Sequence, residues 1–581
     1  MTLPVSSAAA TVATAPSDAL LARLKSVVGA AHVLTGAKAT RRYSRGYRFG
    51  QGRVEAVVRP GSLVEQWRAF KACAEAGRIV IMQAANTGLT GGSTPDGDDY
   101  DRPVVVISTL RMTAVHLIED GRQVICLPGA SLDQLERLLK PMGREPHSVI
   151  GSSCIGASVV GGVCNNSGGS LIQRGPAYTQ MALYARVRED GGVELVNHLG
   201  VALTGEGGDD PEALLARVET GDFRPGEVLA DIGRQASDGD YARRVRDVDA
   251  DSPARFNADP DRLFEASGSA GKAVVFAVRL DTFEAAGETG VFYIGANDPA
   301  VLTRIRRDML SGFEHLPVAG EYMHRDCYDI ARKYGKDTFL AIRTLGTGRI
   351  GQLFGLKSRF DALVEDLGFL PKYLGDRLLQ FASSLFPEHL PARMNQYRDR
   401  FEHHLMLKMS GEGVQEARAY LARTLTEGDA AFFECTPDEG ARAFLHRFAA
   451  AGAAVRYRAV HHRQVSDIVA LDIALRRNDQ DWMEVLPEDV QRPILKSLYY
   501  GHFFCHVFHQ DYIVAKGHDP IALEHRMWEL LDNRRAAYPA EHNVGHLYKA
   551  SAAQTAHFKR LDPCNCLNPG IGMTSRRAEW V

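Results

Sequence analysis

The sequence predicts an α+β protein of several domains, and three observations carry that expectation. Up to Leu139 the pattern runs helix, strand, helix, strand, loop, strand, strand, helix, which departs from the strict βαβ repeat of a doubly wound sheet. Two separate glycine-rich stretches interrupt this half. After Val291, short strands and helices mix as in an antiparallel sheet with helices on one face. With 581 residues the chain is too long for one core.

Ser17 to Val28 sets Leu20, Leu21, Leu24, Val27 and Val28 at helical spacing behind a Ser/Asp start. Glu55–Val58 reads as a strand closed by Arg59-Pro-Gly61. Ser62 caps a helix reaching Glu75, with Val64, Trp67, Phe70 and Cys73 on one face. The apolar strand Arg78–Met82 feeds Gln83-Ala-Ala-Asn-Thr-Gly-Leu-Thr-Gly-Gly-Ser93. Glycine permits positive φ and close approach of a ligand to the main chain, and successive free N–H groups make a concave anion site. Composition alone leaves this loop as either a phosphate cradle or an ordinary turn. Val104–Ser108 and Gln123–Leu127 are further strands, and Pro128-Gly129 leads into a helix over Ser131–Leu139. The second glycine-rich stretch spans Ile150 to Ser170. Its interleaved Ile, Val and Cys set it apart from a solvated linker.

Gly200 to Asp251 is acidic, glycine-broken and expected to be loop-like. Val291–Ala296 and Phe432–Cys435 read as strands, Ala300–Met309 and Gly440–Ala451 as helices. Between Ile342 and Phe360 stand Arg343, Arg349, Lys357 and Arg359 with no acidic residue, interleaved with Leu345, Leu353, Phe354 and Leu356. The apolar pattern continues through Leu378, Phe381, Leu385 and Phe386. Such a stretch is either a pair of core-packing helices or a basic surface for an anionic bilayer interface.

Histidines concentrate from His502 to His546, and imidazole serves both as base and as metal ligand near neutral pH. Read as one strand, Gly501–His509 puts His502 and His509 on opposite faces, so they share a site only if the run bends. Recognition of a carboxylate calls for a planar guanidinium, for which Arg476 and Arg477 are placed ahead of this run. Cys564 and Cys566 match no zinc spacing and read as structural.

Composition excludes several classes. A net charge of −3 argues against a nucleic-acid binder. Nine cysteines without a paired framework point to a reducing compartment. No run reaches the roughly 18 apolar residues of a membrane span, so membrane contact is expected to be peripheral.

Together, the loop Met82–Thr90, the segment Gly143–Ser158 and the second glycine stretch with Gly161-Gly162 and Asn165-Asn-Ser-Gly-Gly169 resemble the vanillyl-alcohol oxidase / p-cresol methylhydroxylase flavoproteins. With Phe508–Val514 and Pro539–Tyr548 added, the chain is similar to the respiratory, quinone-dependent D-lactate dehydrogenases over about Leu20 to Gly572. The first loop departs by carrying Ala84, Ala85 and Asn86 where the wider superfamily has glycines. The resemblance implies FAD bound by Ala84, Ala85, Asn86, Thr87, Gly88, Gly92, Ser93, Gly151, Ser158, Gly168 and Val275, and the lack of a histidine clearly placed for covalent attachment, His147 being the nearest and read as a packed or surface residue, predicts that the flavin is held non-covalently. The resemblance also implies His542 as the base and a possible divalent metal on His502, His509 and Glu541, while Arg476 is the candidate carboxylate fork by its position ahead of the histidine run. The implied partners are D-lactate, a membrane quinone and an anionic lipid surface, at the cytoplasmic face of the inner membrane. The implied division is a lead-in over 1–20, a two-part FAD-binding domain of the p-cresol methylhydroxylase type over 21–280, and an antiparallel-sheet cap over 281–335 and 396–527. A helical, basic membrane insert over 336–395 and a segment returning to the FAD domain over 528–581 complete it. The competing readings are a dehydrogenase for glycolate or 2-hydroxyglutarate, and a catalytically silent nucleotide-binding scaffold.

Overall fold

The structure, a computed structural model, describes residues 17–148, 156–203, 210–230, 232–346, 357, 373–425 and 428–580. The first sheet contains β1 (Val33–Leu34), β2 (Ala56–Val58), β3 (Ile79–Gln83) and β4 (Val104–Ser108) in the order β1-β2-β4-β3, with β2, β4 and β3 parallel. The helix Leu63–Glu75 crosses from β2 to β3. Ser62 Oγ caps it by accepting from the Glu65 N–H, and Trp67, Phe70 and Cys73 are buried beneath it. The second sheet follows with β5 (Val115–Ile118) and β6 (Gln123–Cys126). After β7 (Arg144–Glu145) come β8 (Ala182–Val187), β9 (Val193–Asn197) and β10 (Val274–Asp281), giving an antiparallel order β5-β6-β10-β8-β9. A short ribbon pairs β7 with β11 (Phe283–Glu284). One apolar core, including Leu24, Phe70, Val80, Ile107, Phe276 and Leu567, joins these two sheets.

The second half is organised by one seven-stranded antiparallel sheet. Its strands are β12 (Thr289–Ala296), β13 (Ala319–His324), β14 (His403–Ser410), β15 (Ala430–Glu434), β16 (Val465–Ala474), β17 (Ile494–His502) and β18 (Val507–Ala515). The order is β15-β12-β14-β13-β17-β18-β16. Side chains alternate across it with period two. Phe292, Ile294, Leu405, Ile473 and Phe508 face one core, which includes Ile305 and Met309 of the helix Pro299–Gly312. Tyr293, Met323, Met406, Tyr500 and Ile513 face the other, with the helices Arg325–Tyr334 and Pro437–Val460.

Two expectations need correction. The region 200–251 is not all loop: helices run over Pro211–Thr220 and Tyr241–Arg246. Asp210 caps the first, and Leu214, Leu215 and Val218 are buried at helical spacing. The helix expected over Gly440–Ala451 extends over Pro437–Val460, because a Thr436/Glu439 capping box starts it earlier and an alanine-rich run packs it tightly.

Beyond β18 the chain returns to the first sheet. Val80 N–H donates to Cys566 O at 2.8 Å, and Asn568 N–H donates to Val80 O at 3.0 Å. The C-terminal segment thereby extends the edge of β3, the strand that feeds the first glycine loop.

Candidate active site

The histidine run is a hairpin, not one strand. β17 ends at His502, a tight turn takes Phe503–Cys505, and β18 starts at Val507 after His506 at φ +54°. In the resulting register Tyr500 opposes His509 and His502 opposes Val507. His502 and His509 are therefore diagonal neighbours on one face, with ring centroids 5.4 Å apart. Gly501 allows the strands to close, since a Cβ there would lie 2.4 Å from Val507 O.

Glu541 and His542 arrive at this face from the returning segment. Glu541 Oε2 lies 3.3 Å from His502 Nε2 and 3.9 Å from His509 Nε2. One ligand atom from each of His502, His509 and Glu541 falls within 4.8 Å of the others, the one such metal-ready group among the described residues. The His542 ring stacks on His509 with centroids 5.8 Å apart.

Every member has a fixed partner behind it. Glu321 Oε1 is 2.6 Å from His502 Nδ1, and Glu321 is itself held by Arg447 at 2.9 Å. Arg255 Nη2 donates to Glu541 Oε1 at 2.8 Å. The buried Asp472 accepts from the N–H groups of both Glu541 and His542 at 2.7 Å. Asn257 donates to His542 O. Carboxylates behind imidazoles of this kind set the tautomer and orientation of metal-binding histidines. None of Glu321, Asp472, Arg255 or Arg447 was expected from the sequence. The available signal was a lone carboxylate inside an apolar strand, as in Val469-Ala-Leu-Asp-Ile-Ala474, since a buried charge demands a partner.

The charges follow from this packing. Burial disfavours the imidazolium of His502, but the Glu321 and Glu541 carboxylates outweigh it and push His502 up to about 10. Burial favours a neutral Glu541, yet His502 and Arg255 overcome it and hold the carboxyl well below the usual range. Burial and the neighbouring His502 charge drive His509 well below its ordinary value.

The first glycine loop lies directly against this segment. His546 N–H donates to Thr90 O at 3.0 Å, and Thr90 Oγ donates to Asn543 O at 2.7 Å. A Cβ on Gly92 would lie 2.1 Å from Asn543 Nδ2, and one on Gly168 would lie 2.2 Å from Glu541 Oε1. Asn86 takes φ +55° and accepts from Ser93 Oγ. Ala84, Ala85 and Thr87 stay partly open, and a Cβ on Gly88 would meet nothing. Ser158 caps the helix Val159–Cys164 by accepting from Gly161 N–H. Val275 is buried on β10 beside an irregularity in its pairing with β8. Gly151 lies outside the described residues. Gly92, Cys164, Ala270 and Asn568 meet through hydrogen bonds. Around them the buried Asn165 Oδ1 and Asn568 Oδ1 have no protein hydrogen-bond partner. A hydroxyl-rich dinucleotide such as FAD fits these unsatisfied atoms. His147 is buried with both ring nitrogens unpartnered, and burial pushes it down to about 4.

Arg476 is not gathered with the cluster. β16 ends at Ala474, and Arg476 turns away to pair with Asp251 at 2.6 Å, which also binds Arg535. The expected carboxylate fork is thus committed elsewhere. Arg477 is spent on the Ser252 and Arg244 carbonyls.

Of the expected basic insert, Arg349 and Arg359 lie outside the described residues. The helix Leu374–Ser384 is inverted relative to a core-packing helix. Gly375, Asp376 and Ser383 face inward, while Leu378 (52% exposed), Phe381 (67%), Leu385 (73%) and Phe386 (56%) at and beyond its end face out. Asp376 anchors the inner side to Arg456 at 2.9 Å and Lys357 at 3.1 Å. Among the described residues no helix is long and apolar enough to cross a membrane.

Comparison with known proteins adds to this geometry. A family profile described as D-lactate dehydrogenase, membrane binding, matches residues 291–580, and one for an FAD binding domain matches 54–195. The quinone-dependent D-lactate dehydrogenase of Escherichia coli (strain K12) is 59% identical over 98% of this chain and 98% of its own. That of Haemophilus influenzae is 56% identical over 97% and 99%, and that of Corynebacterium glutamicum 48% over 98% and 99%. Among solved structures, p-cresol methylhydroxylase with substrate bound shares the fold with a TM-score of 0.56 at 11% identity, covering 96% of both chains.

Proposed function

The chain belongs to the quinone-dependent D-lactate dehydrogenase family, and on that premise we propose how its residues divide the work. It is an FAD-dependent enzyme that oxidises D-lactate to pyruvate and passes the electrons to quinone. The observation that carries the residue assignment is the meeting of His502, His509, Glu541 and His542 on one face, carried in part by a returning segment whose next residues, Asn543 and His546, hydrogen-bond to Thr90 of the glycine loop.

Bound FAD would supply the hydride acceptor for C2 of the substrate, and that chemistry is the cofactor's own. The loop over Ala84–Ser93, with Ser158, Gly168 and Val275, holds it without a covalent bond. His542 takes the hydroxyl proton, and a base placed this way contributes about 10²–10⁴-fold. His502, His509 and Glu541 would hold a divalent metal, whose chemistry would be to polarise the substrate hydroxyl and anchor the carboxylate. Its support is geometric: a nitrogen–nitrogen–oxygen set with a fixed partner behind each ligand. Arg476 has no part in this set.

The protein attaches to membrane from one side. The outward apolar face of Leu374–Ser384 enters the interface, and basic residues such as the exposed Arg377 favour anionic lipid on the cytoplasmic face. The test is anaerobic mixing of the flavoenzyme with a panel of D- and L-2-hydroxy acids. D-lactate should bleach the flavin band and a quinone should restore it. Faster bleaching by glycolate or 2-hydroxyglutarate would reassign the substrate, and no bleaching by any acid would leave a silent binding protein.

A further inference from the structure

We propose that Asp472 is the positioning residue of the site: one carboxylate that aims both the base His542 and the ligand His509 while fixing the backbone that carries Glu541. The inference rests on the reading of His542 as base and deepens it.

Asp472 sits on β16, fully buried, opposite His509 of β18. Its backbone and side chain together grip three consecutive residues of the returning segment. The Asp472 carbonyl accepts from Ala540 N–H at 2.9 Å. Oδ2 then accepts from Glu541 N–H and His542 N–H, each at 2.7 Å. The same Oδ2 lies 3.6 Å from His542 Nδ1, and Oδ1 lies 3.5 Å from His509 Nδ1. Oδ1 has no other partner.

Both imidazoles therefore present Nδ1 to a single anion. An acceptor at Nδ1 selects the tautomer that carries its proton there and leaves Nε2 as the lone pair. For His509 that lone pair is directed to the side of Glu541 Oε2. For His542 it is the lone pair that takes the substrate proton. Backbone grip and ring orientation come from one side chain, so the geometry of base and ligand is set jointly. The distances of 3.5 and 3.6 Å are long for hydrogen bonds, and catalytic contacts of this type commonly tighten when substrate is bound.

The test is a double-mutant cycle on the FAD-loaded enzyme, reading the rate of flavin reduction and the apparent Kd for D-lactate in single turnover. Asp472→Asn keeps the side-chain shape and one acceptor for the two backbone N–H groups. The expected result is a fall of about 10²–10⁴-fold in the reduction rate with Kd changed by less than about threefold. Adding Asp472→Asn to His542→Ala should cost clearly less than Asp472→Asn costs alone, because the part of its effect that runs through the base is already lost, while the part that runs through His509 and Glu541 remains. Far-UV circular dichroism and flavin content identify a variant that fails to fold, and Asp472→Glu, which keeps the charge, then serves in its place with partial loss expected. Near-normal reduction by a folded Asp472→Asn enzyme, with His542→Ala crippled, overturns this inference alone. So does a full additional loss in the double variant. Near-normal reduction by His542→Ala overturns the base reading and this inference with it.

Discussion

Replacing Gly168 by alanine separates two roles that one glycine can play. The residue lies in the second glycine stretch, where resemblance assigns it to FAD. In the structure its missing Cβ is occupied by the active site: the added carbon would sit 2.2 Å from Glu541 Oε1, 2.7 Å from Glu541 Cδ and 3.0 Å from Arg255 Nε. Ordinary contact begins near 3.4 Å, so the carboxylate must retreat by about 1.2 Å. It has little freedom to do so. Arg255 holds Oε1, His502 faces Oε2, and Asp472 holds the backbone N–H. A misplacement of about 1 Å at a catalytic centre costs about 10²-fold in rate, or roughly 3 kcal/mol. If the Arg255–Glu541 pair breaks instead, a buried unpaired charge costs about 3–5 kcal/mol. The Gly168→Ala enzyme should therefore retain most of its FAD, measured by absorbance after gel filtration, and reduce it at least about 100-fold more slowly with D-lactate. Reduction at the wild-type rate would refute the packing argument. Loss of FAD with the residual holoenzyme fully active would place Gly168 with the cofactor alone.

Three further outcomes are expected. Changing Phe381, Leu385 and Phe386 together to serine should cut flotation with anionic vesicles by at least about 100-fold, since each buried side chain contributes about 1.5–3 kcal/mol, while flavin reduction in solution stays unchanged. Unaltered flotation would remove this helix from the membrane contact. Glu524, 6% exposed, is pushed up to about 7 by burial against the opposing pull of Arg48. Its folded pKa lies above the unfolded one, so the protonated form suits the fold: full stability holds below about pH 4.5, and some 3 kcal/mol is lost as pH rises to about 7. Glu524→Gln should flatten that part of the melting-temperature profile, and an unchanged profile would contradict the assignment. Dialysis against a chelator should slow D-lactate oxidation and Zn²⁺ or Mn²⁺ should restore it; equal turnover before and after would exclude a required metal.

Local pattern was enough for much of the fold. The cap at Ser62 and the buried face of Trp67, Phe70 and Cys73 follow from spacing alone, as do the central strands β3 and β4. The residue types His502, His509, Glu541 and His542 were legible through resemblance. Their meeting was not, because an aromatic run over Phe503–Phe508 reads as strand, whereas the chain folds back at Phe503–His506. Glu321, Asp472 and Arg255 escaped because their meaning lies in partners 37 to 286 residues away. Arg476 misled for the same reason, since its partner Asp251 is 225 positions earlier. The outward face of Leu374–Ser384 was ambiguous as periodicity, because core-packing and interfacial helices share one pattern and differ only in which side is covered.

The most direct test of the account is a single-turnover measurement on His542→Ala loaded with FAD. The account predicts normal flavin content, an unchanged flavin spectrum, and reduction by D-lactate slowed by about 10²–10⁴-fold. Reduction near the wild-type rate with FAD in place would contradict it, and the proton would have to be taken elsewhere than at the meeting of the hairpin and the returning segment.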